Sequence, residues 1–515
     1  MRILLLFVTF LAMVLLLAVV GLLLADRLMP EAQGRDSRAL PADGTSVLDQ
    51  AVTSLLGADA GQSAALFLAD NLDAFALRAL LAREAGRSLD IQYYLWHDDL
   101  AGQLLANEAL EAARRGVRVR ILLDDINARG IDRALLALDE HPAIEVRLYN
   151  PFRNRKGLVR TLEMVVRAFR VNHRMHNKAW IADGRVAIVG GRNIGDEYFG
   201  AADQVNFRDL DLGLMGPVVN DAERVFDDYW NSAAAVPIRA LKKRSRIGLH
   251  GFAAKLRHSA EDPRAEPYLE RIVSSGSTYS LLTGSPTLYR GDSFRIIADP
   301  PIKWKSDDRS IWMIDKMLPV LQQAEREVLL ISPYFVPGDN GSAGLLALRE
   351  RGVDTRVLTN SLAATDVAVV HAGYARHRPA LLRGGVRLYE MMSDGDTHMS
   401  LAGSRGASLH TKAFLVDGQR GFVGSFNLDP RSANLNTEMG VLFDSPTMGI
   451  MLTEEFERLI ASDTSYEVSL DERGALRWTG KRQGRLQVQD REPDASLARR
   501  IGVWLLGWLP IESQL

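Results

Sequence analysis

Cysteine is absent from all 515 residues of the chain. That excludes disulfides, thiolate metal sites, a cysteine nucleophile and a lipid-modified cysteine anchor. It leaves the compartment open, because a cysteine-free protein works on either side of a membrane. A surplus of one charge is also missing: 62 Lys and Arg stand against 64 Asp and Glu, a net charge of -2. A general nucleic-acid binder carries a basic excess, so no nucleic-acid partner is expected and any attraction for anions must be local. No H-E-x-x-H or similar metal-ligand spacing occurs. With 47% hydrophobic and 24% charged residues, the chain is neither disordered nor fibrous. Its length suits two large domains or about three ordinary ones.

What is present begins with an apolar run. Residues 3–25 are uncharged and almost wholly apolar. As a helix they rise about 35 Å, enough to cross a hydrocarbon core of about 30 Å. Only Met1 and Arg2 precede the run and no small-x-small cleavage site follows, so an uncleaved single-pass anchor over residues 1–27 is expected rather than a removed signal. Arg2 lies on one side; Arg27, Arg35 and Arg38 lie on the other, mixed with Asp26, Glu31, Asp36 and Asp43. The positive-inside count is close to a tie, and we place the large C-terminal part outside the cytoplasm. Residues 28–65, rich in Gly, Ala, Asp and Ser, read as a stalk.

From residue 66 helical and strand patterns alternate, which predicts an α/β sandwich around a largely buried sheet. Asp73–Gly86 and Leu100–Arg115 have helical spacing; Ser88–Trp96 and Val117–Leu123 are β-rich. The same order returns with helices at Ile314–Arg326 and Ala343–Arg351 and strands at Val328–Phe335 and Thr355–Leu358. Arg115-Gly116-Val117 matches Arg351-Gly352-Val353, and Val146-Arg147-Leu148-Tyr149 matches Val386-Arg387-Leu388-Tyr389. A unit this long, repeated once, predicts two fused lobes rather than a solenoid. We bound them at 66–235 and 296–465, with a connector at 236–295 and a C-terminal tail at 466–515.

Each lobe carries one motif. The first holds His176, Lys178, Asp183, Gly190 and Asn193; the second holds His410, Lys412, Asp417, Gly424 and Asn427. In both, Lys follows His by two positions, Asp by seven, Gly by fourteen and Asn by seventeen. Residues two apart on a strand share a face, so His and Lys project together. Asp183-Gly184 and Asp417-Gly418 read as hairpin turns, which favours a structural role for those aspartates over a catalytic one, although as motif members both are grouped with the catalytic residues. Beyond the turn, small residues let an anion approach the backbone and Asn supplies donors. Two facing hairpins would place two His, two Lys and two Asn around one phosphate. The lysines would neutralise its oxygens, one imidazole would attack phosphorus and the other would protonate the leaving alcohol, with no metal required. A nucleophilic imidazole needs a carboxylate to fix its tautomer. Glu438 and Asp209, each eight residues before a proline (Pro446 and Pro217), are the nominated orienters, with Asp211 as the fallback for Asp209.

These residues resemble the phospholipase D superfamily, marked by a duplicated H-x-K-x(4)-D-x(6)-G-x(2)-N motif; the resemblance covers roughly residues 66–465. Tyr93–Asp99, Arg174–Lys178, Gly190–Phe199 and Leu509–Glu512 resemble the bacterial cardiolipin synthase C-type branch. The resemblance implies two duplicated α/β lobes with one shared site, a phosphatidyl-histidine intermediate, phospholipid substrates and a bacterial inner-membrane location. It also implies His176 as nucleophile and His410 as acid and then base; the residues themselves are symmetric. One departure is visible: Gly191 stands where lobe two has Ser425, so a hydroxyl donor to phosphate is expected only from Ser425, beside Asn193 and Asn427.

Other features bear on a lipid substrate. Leu158–Arg170 has an apolar stripe opposite Arg160, Arg167 and Arg170, with Arg153, Arg155 and Lys156 upstream. It suits an anionic membrane surface or a helix packed on the protein's own core. Residues 499–509 are too short to span but suit a membrane interface, with Trp504 and Trp508 at headgroup depth. His173 reads as a headgroup contact or a surface residue, His371 as a satisfied core histidine ahead of a residue lining the acceptor side, and Tyr93, Tyr94 and Trp96 as core with one facing the pocket. The leading function is transfer of a phosphatidyl group to phosphatidylglycerol, giving cardiolipin. The alternatives are phospholipid hydrolysis to phosphatidic acid, a DNA phosphodiesterase, disfavoured by the neutral charge, and an idle lipid-binding scaffold, disfavoured by paired histidines.

Overall fold

A computed structural model describes residues 34–57, 61–152 except 129, 154–155, 172–202, 205–242, 247–284, 288–306 except 292, 308–393, 407–509 and 512–514, with isolated positions between 9 and 21 and at 163. The expected anchor at 3–25 and the helix at 158–170 lie almost wholly outside the described residues. Among the described residues, no helix is long and apolar enough to cross a membrane.

Two large sheets repeat one topology. The first contains β1 (Ser63–Leu68), β2 (Ser88–Tyr93), β3 (Arg118–Asp124), β4 (Ile144–Tyr149), β5 (Ala179–Ala182) and β6 (Val186–Gly190). After the short strand β7 (Asn206–Arg208) it is completed by β8 (Asp211–Met215), β9 (Ala235–Pro237) and β10 (Leu288–Gly291). The second contains β11 (Phe294–Ala298), β12 (Glu327–Ile331), β13 (Asp354–Asn360) and β14 (Arg387–Met391). After the short strand β15 (Ala407–Leu409) come β16 (Ala413–Val416), β17 (Arg420–Gly424), β18 (Met439–Asp444), β19 (Ser465–Leu470), β20 (Leu476–Arg482) and β21 (Arg485–Gln489). The first sheet runs β10-β1-β8-β6-β5-β2-β3-β4-β9, the second β11-β18-β17-β16-β12-β13-β14-β19-β20-β21. Eight consecutive strands therefore correspond, from β1-to-β9 in one lobe to β11-to-β19 in the other.

Local chemistry explains the shared layout. The parallel strands β2, β3 and β4 are buried along almost their whole length, and charged residues among their apolar ones are paired there, Arg120 with Asp90 at 2.7 Å. The helix Leu100–Arg114 starts where Asp99 accepts the Gly102 N–H, satisfying an otherwise orphaned donor. The turn after it needs Gly116 at φ 96°, as the matching turn needs Gly352 at φ 86°, a region that penalises side chains. The inner faces of both sheets, with the helices Val218–Trp230 and Pro446–Leu459, share one core that includes Ile181, Leu212, Leu415 and Val441. The two lobes are thus fused through buried apolar surface, the dominant favourable contribution to such a fusion.

Three sequence boundaries shift. The described part of the expected stalk is not a free tether. Its helix Val47–Leu56 buries Leu48, Val52, Leu55 and Leu56 in the first core, and Ser37 and Ala39 donate to Asn231 and Asp227. The connector contains the helices Gly248–Ser259 and Glu266–Ser275, which bury Phe252, Leu256 and Ile272 against lobe one. The tail adds β20 and β21 to the second sheet before the helix Leu497–Leu506. In each case short apolar patterns were diluted by Ala, Gly and charge, which hid the packing face from a reading by composition.

Candidate functional site

The seam between the lobes is built from backbone pairing. β7 and β15 pair in parallel, and His410 N–H donates to Arg208 O at 2.8 Å. On the related side Met175 bridges Thr437, and His176 N–H donates to Thr437 O at 2.8 Å. Each histidine therefore lies against the residue just before an acid of the opposite lobe. Alternation along the extended chain turns that acid towards the imidazole.

His176 Nδ1 lies 2.8 Å from Glu438 Oε2 and 3.1 Å from the Ser425 carbonyl. Both partners accept, so Nδ1 carries the proton and Nε2 keeps its lone pair. Glu438 is held in turn by the hydroxyls of Ser425 at 2.5 Å and Ser432 at 2.8 Å. His410 Nδ1 lies 2.5 Å from Asp209 Oδ2, and Lys412 Nζ is 3.0 Å from the same nitrogen. Lys178 Nζ donates to His176 O at 2.6 Å and sits 5.4 Å from the centre of the Tyr94 ring. Lys412 donates to His410 O in the same way.

Burial dominates the electrostatics. It lowers His176 to about 4 against the pull of Glu438, with Lys178 and Lys412 adding to the fall. Burial and Lys412 likewise hold His410 below its usual value. Burial brings Lys178 down to about 7 and Lys412 to about 8. Burial pushes Glu438 and Asp209 up, but the histidines and lysines beside them more than offset it and both carboxyls end below their usual range. Both lysines press on both imidazoles, so the four groups occupy one electrostatic site. A buried site with two neutral bases and two cations held at a cost is matched to an anion that arrives with its own charge.

The PLD-like domain of cardiolipin synthase, as a family model, matches residues 80–230 and 317–460. Cardiolipin synthase C of Escherichia coli (strain K12) is 41% identical over 474 residues, covering 90% of this chain and 99% of that protein. The chain belongs to the PLD-like cardiolipin synthase family. Cardiolipin synthase A of Pseudomonas syringae pv. syringae (strain B728a) is 28% identical over 76% of this chain and 66% of its own length. Among solved structures, the phosphatidylserine synthase of Haemophilus influenzae Rd KW20 shares the fold: TM-score 0.54 at 14% identity, covering 82% of this chain and 91% of that one.

In this family member several expected residues lie elsewhere or act otherwise. Asp183 lies just beyond the far end of β5, separated from His176 by about 23 Å of extended chain. Its carboxylate accepts Gly86 N–H at 2.9 Å, Arg87 N–H at 2.7 Å and Ser88 N–H at 3.0 Å. Asp417 clasps the N–H groups of Glu325, Arg326 and Glu327 in the same manner. Both aspartates adopt φ 55°, as a turn residue does. Grouping them with the catalytic residues is therefore corrected: they lock the hairpin to the neighbouring strand. The Ser425 hydroxyl, expected on phosphate, is committed to Glu438. Asp211 does not approach a histidine; it pairs with Arg78 at 2.8 Å and with Arg192. Asn193 Nδ2 donates to Tyr198 OH at 2.9 Å, and the side-chain oxygens of Asn193 and Asn427 are buried without a hydrogen-bond partner among the described residues.

His173 stacks on Trp304 and its Nδ1 faces Leu435 O at 2.9 Å. His371 is buried beside Tyr374, with Nε2 3.4 Å from Glu492. Of the three aromatic residues at 93–96, Tyr94 is the one on the site, its ring 5.0 Å from that of His176. Tyr198 and Phe207 enclose His410 at 5.1 and 5.0 Å, and Asp124 holds the Met175 N–H at 2.9 Å. No spacing rule marked these residues. Among the described residues one group could hold a metal, His97, Asp99 and Glu197, but Asp99 already caps the helix at Leu100 and accepts Asp196 N–H at 2.8 Å.

Proposed function

We propose that the chain is a membrane phosphatidyltransferase that makes cardiolipin by double displacement. The observation that carries the mechanism is the pair of imidazoles, each hydrogen-bonded to an acid of the opposite lobe. His176 Nε2 attacks the phosphorus of a donor phospholipid. The P–O bond to the donor alcohol breaks, and His410 Nε2–H gives that oxygen its proton. Glu438 stabilises the phosphorylated imidazole by accepting from Nδ1–H. His410, now neutral, takes the proton from the glycerol hydroxyl of phosphatidylglycerol; that oxygen attacks, the P–N bond breaks and cardiolipin leaves. Lys178 and Lys412 balance the phosphate charge, and the motif residues Asn193 and Asn427 donate hydrogen bonds to it. The incoming anion opposes the burial that depresses His410, so the acid becomes protonated when substrate is present. Asp209 orients His410 as Glu438 orients His176.

The apolar run at 3–25 supports a bacterial inner-membrane anchor; in this reading the lobes lie on the non-cytoplasmic side. The test is a lipid analysis of membranes from expressing cells. Cardiolipin should accumulate with the native protein and not with His176→Ala. Accumulation of phosphatidic acid in its place would assign a hydrolase.

A further inference from the structure

Six large apolar side chains left exposed by the described chain fall between residues 497 and 509: Leu497, Ile501, Trp504, Leu505, Trp508 and Leu509. Trp504 is 63% exposed and Trp508 74%, and their rings meet edge to face at 5.7 Å. Exposed tryptophans one helical turn apart are costly in water and favourable at the headgroup layer of a bilayer. The helix Leu497–Leu506 is not a loose end. Its inner side buries Val503 with Leu362, Ala372 and Ala495.

Both ends of this element are fastened close to the catalytic seam. At the start, Arg499 donates to Thr365 O. The adjoining Asp366 accepts the Tyr334 hydroxyl at 2.8 Å, and its charge reaches Lys412. At the far end, Arg376 donates to Leu509 O at 3.1 Å and Glu512 meets His377 at 2.9 Å. Gln514 accepts from Asn172, four residues before His176, at 3.0 Å, and Arg431 grips Asn172 from lobe two at 2.9 Å. Beside the inward-turned Arg499, the half-buried Arg500 adds a positive charge and residues 497–509 contain no acid, so nothing in the segment repels an anionic surface.

We propose that the outer face of the helix Leu497–Leu506 and its Trp508 turn seats in the headgroup layer of an anionic bilayer, and that its clasp to Thr365 and Asn172 sets the depth of the inter-lobe site relative to that layer. The inference rests on the reading that the substrate is a membrane phospholipid. It adds a second membrane contact, distinct from the apolar run at the N-terminus.

The test uses the full chain in phosphatidylglycerol-containing vesicles with brominated acyl chains. Quenching of tryptophan fluorescence should contain a component missing from Trp504→Phe/Trp508→Phe and weaker in phosphatidylcholine vesicles. With Trp504→Ser/Trp508→Ser, kcat/KM on vesicle lipid should fall about tenfold, while kcat/KM on a soluble short-chain phospholipid stays within about twofold. Identical quenching in native protein and variant would overturn the proposal, as would unchanged vesicle kinetics. Efficient cross-linking between two copies at position 504 would also overturn it, by giving this face to a second chain. An equal loss on both substrates would do the same, by making the helix part of the site rather than of the membrane contact. If the native protein turned over no phospholipid in either form, the functional reading would fail, and quenching would still decide the membrane contact.

Discussion

The two halves of the site differ at the position after the motif glycine, Gly191 in one lobe and Ser425 in the other. Lobe one has Gly191 behind the short acid Asp209; lobe two has Ser425 behind the longer Glu438. A β-carbon on Gly191 would collide with the Asp209 carboxylate, so the glycine is there to make room. On the other side the Ser425 hydroxyl fills the equivalent space and donates to Glu438. The Glu438 half is therefore the more fully bonded: its carboxylate takes two hydroxyls as well as His176, and the His176 nitrogen meets a second acceptor in Ser425 O. The Asp209 half leaves a lysine beside the imidazole nitrogen in place of a second acceptor. A fixed tautomer suits a nucleophile, and a cation-pressed imidazole suits an acid that must give its proton away.

The largest expected effect comes from removing one imidazole. His176→Ala should lower turnover by about 10⁴-fold or more, because no other group can carry the phosphatidyl unit. A residual rate near native would end the assignment. Next comes the glycine. Gly191→Ala should displace Asp209 and cost about 100-fold in kcat, whereas Ser425→Gly, which loses one hydroxyl, should cost about tenfold. Equal losses from the two would erase the asymmetry, and steady-state kinetics with circular dichroism as a folding control reads the difference.

Proton exchange offers a smaller signal. Lys178 and Lys412 sit at about 7 and about 8 against an ordinary 10.5. A depressed folded value gives stability that is present above the unfolded value and lost as pH falls through the folded one. The ligand-free protein should therefore melt higher as pH rises from about 7 towards 10.5, short of alkaline damage elsewhere. An anion restores the ammonium forms, so inorganic phosphate or vanadate should bind with uptake of about one proton at pH 8. Titration calorimetry in two buffers of different ionisation heat measures this; proton release would contradict it. The smallest catalytic effect belongs to the clasps. Asp183→Ala should cost about 1–3 kcal/mol of stability, Asp417→Ala less because it is less buried, with kcat per folded molecule nearly native. A collapse of kcat in well-folded Asp183→Ala would return that residue to the chemistry.

Much of this was legible in the chain. The repeated spacing exposed both motifs, and the matching Arg-Gly-Val turns exposed the duplicated order, because a left-handed turn leaves a glycine behind. The acids Asp209 and Glu438 stand out by their matching place eight residues before Pro217 and Pro446. Which histidine each acid faces could not be read in the same way, since that depends on Met175 meeting Thr437 and Leu409 meeting Arg208 across hundreds of residues. The role of Ser425 was misread for a related reason: a hydroxyl near a phosphate motif looks like a ligand until the longer side chain that claims it is seen. Tyr94, Tyr198 and Phe207 left no mark because an aromatic residue lining a pocket and one in a core have the same pattern. The helix Val47–Leu56 was hidden by its short length and alanine-rich surroundings.

The central claim is that one phosphodiester is handed through a covalent bond to the imidazole paired with Glu438. The most direct measurement is to mix His410→Asn protein with a phosphate-labelled p-nitrophenyl ester of phosphatidic acid, whose leaving group needs no proton from an acid, quench in alkali, where phosphohistidine is stable, and map the label by peptide mass spectrometry. Label on the His176 peptide, and none when His176→Asn is treated in the same way, is the predicted result. Label on His410 in the His176→Asn protein, or turnover with no labelled histidine in a rapidly quenched native enzyme, would contradict it.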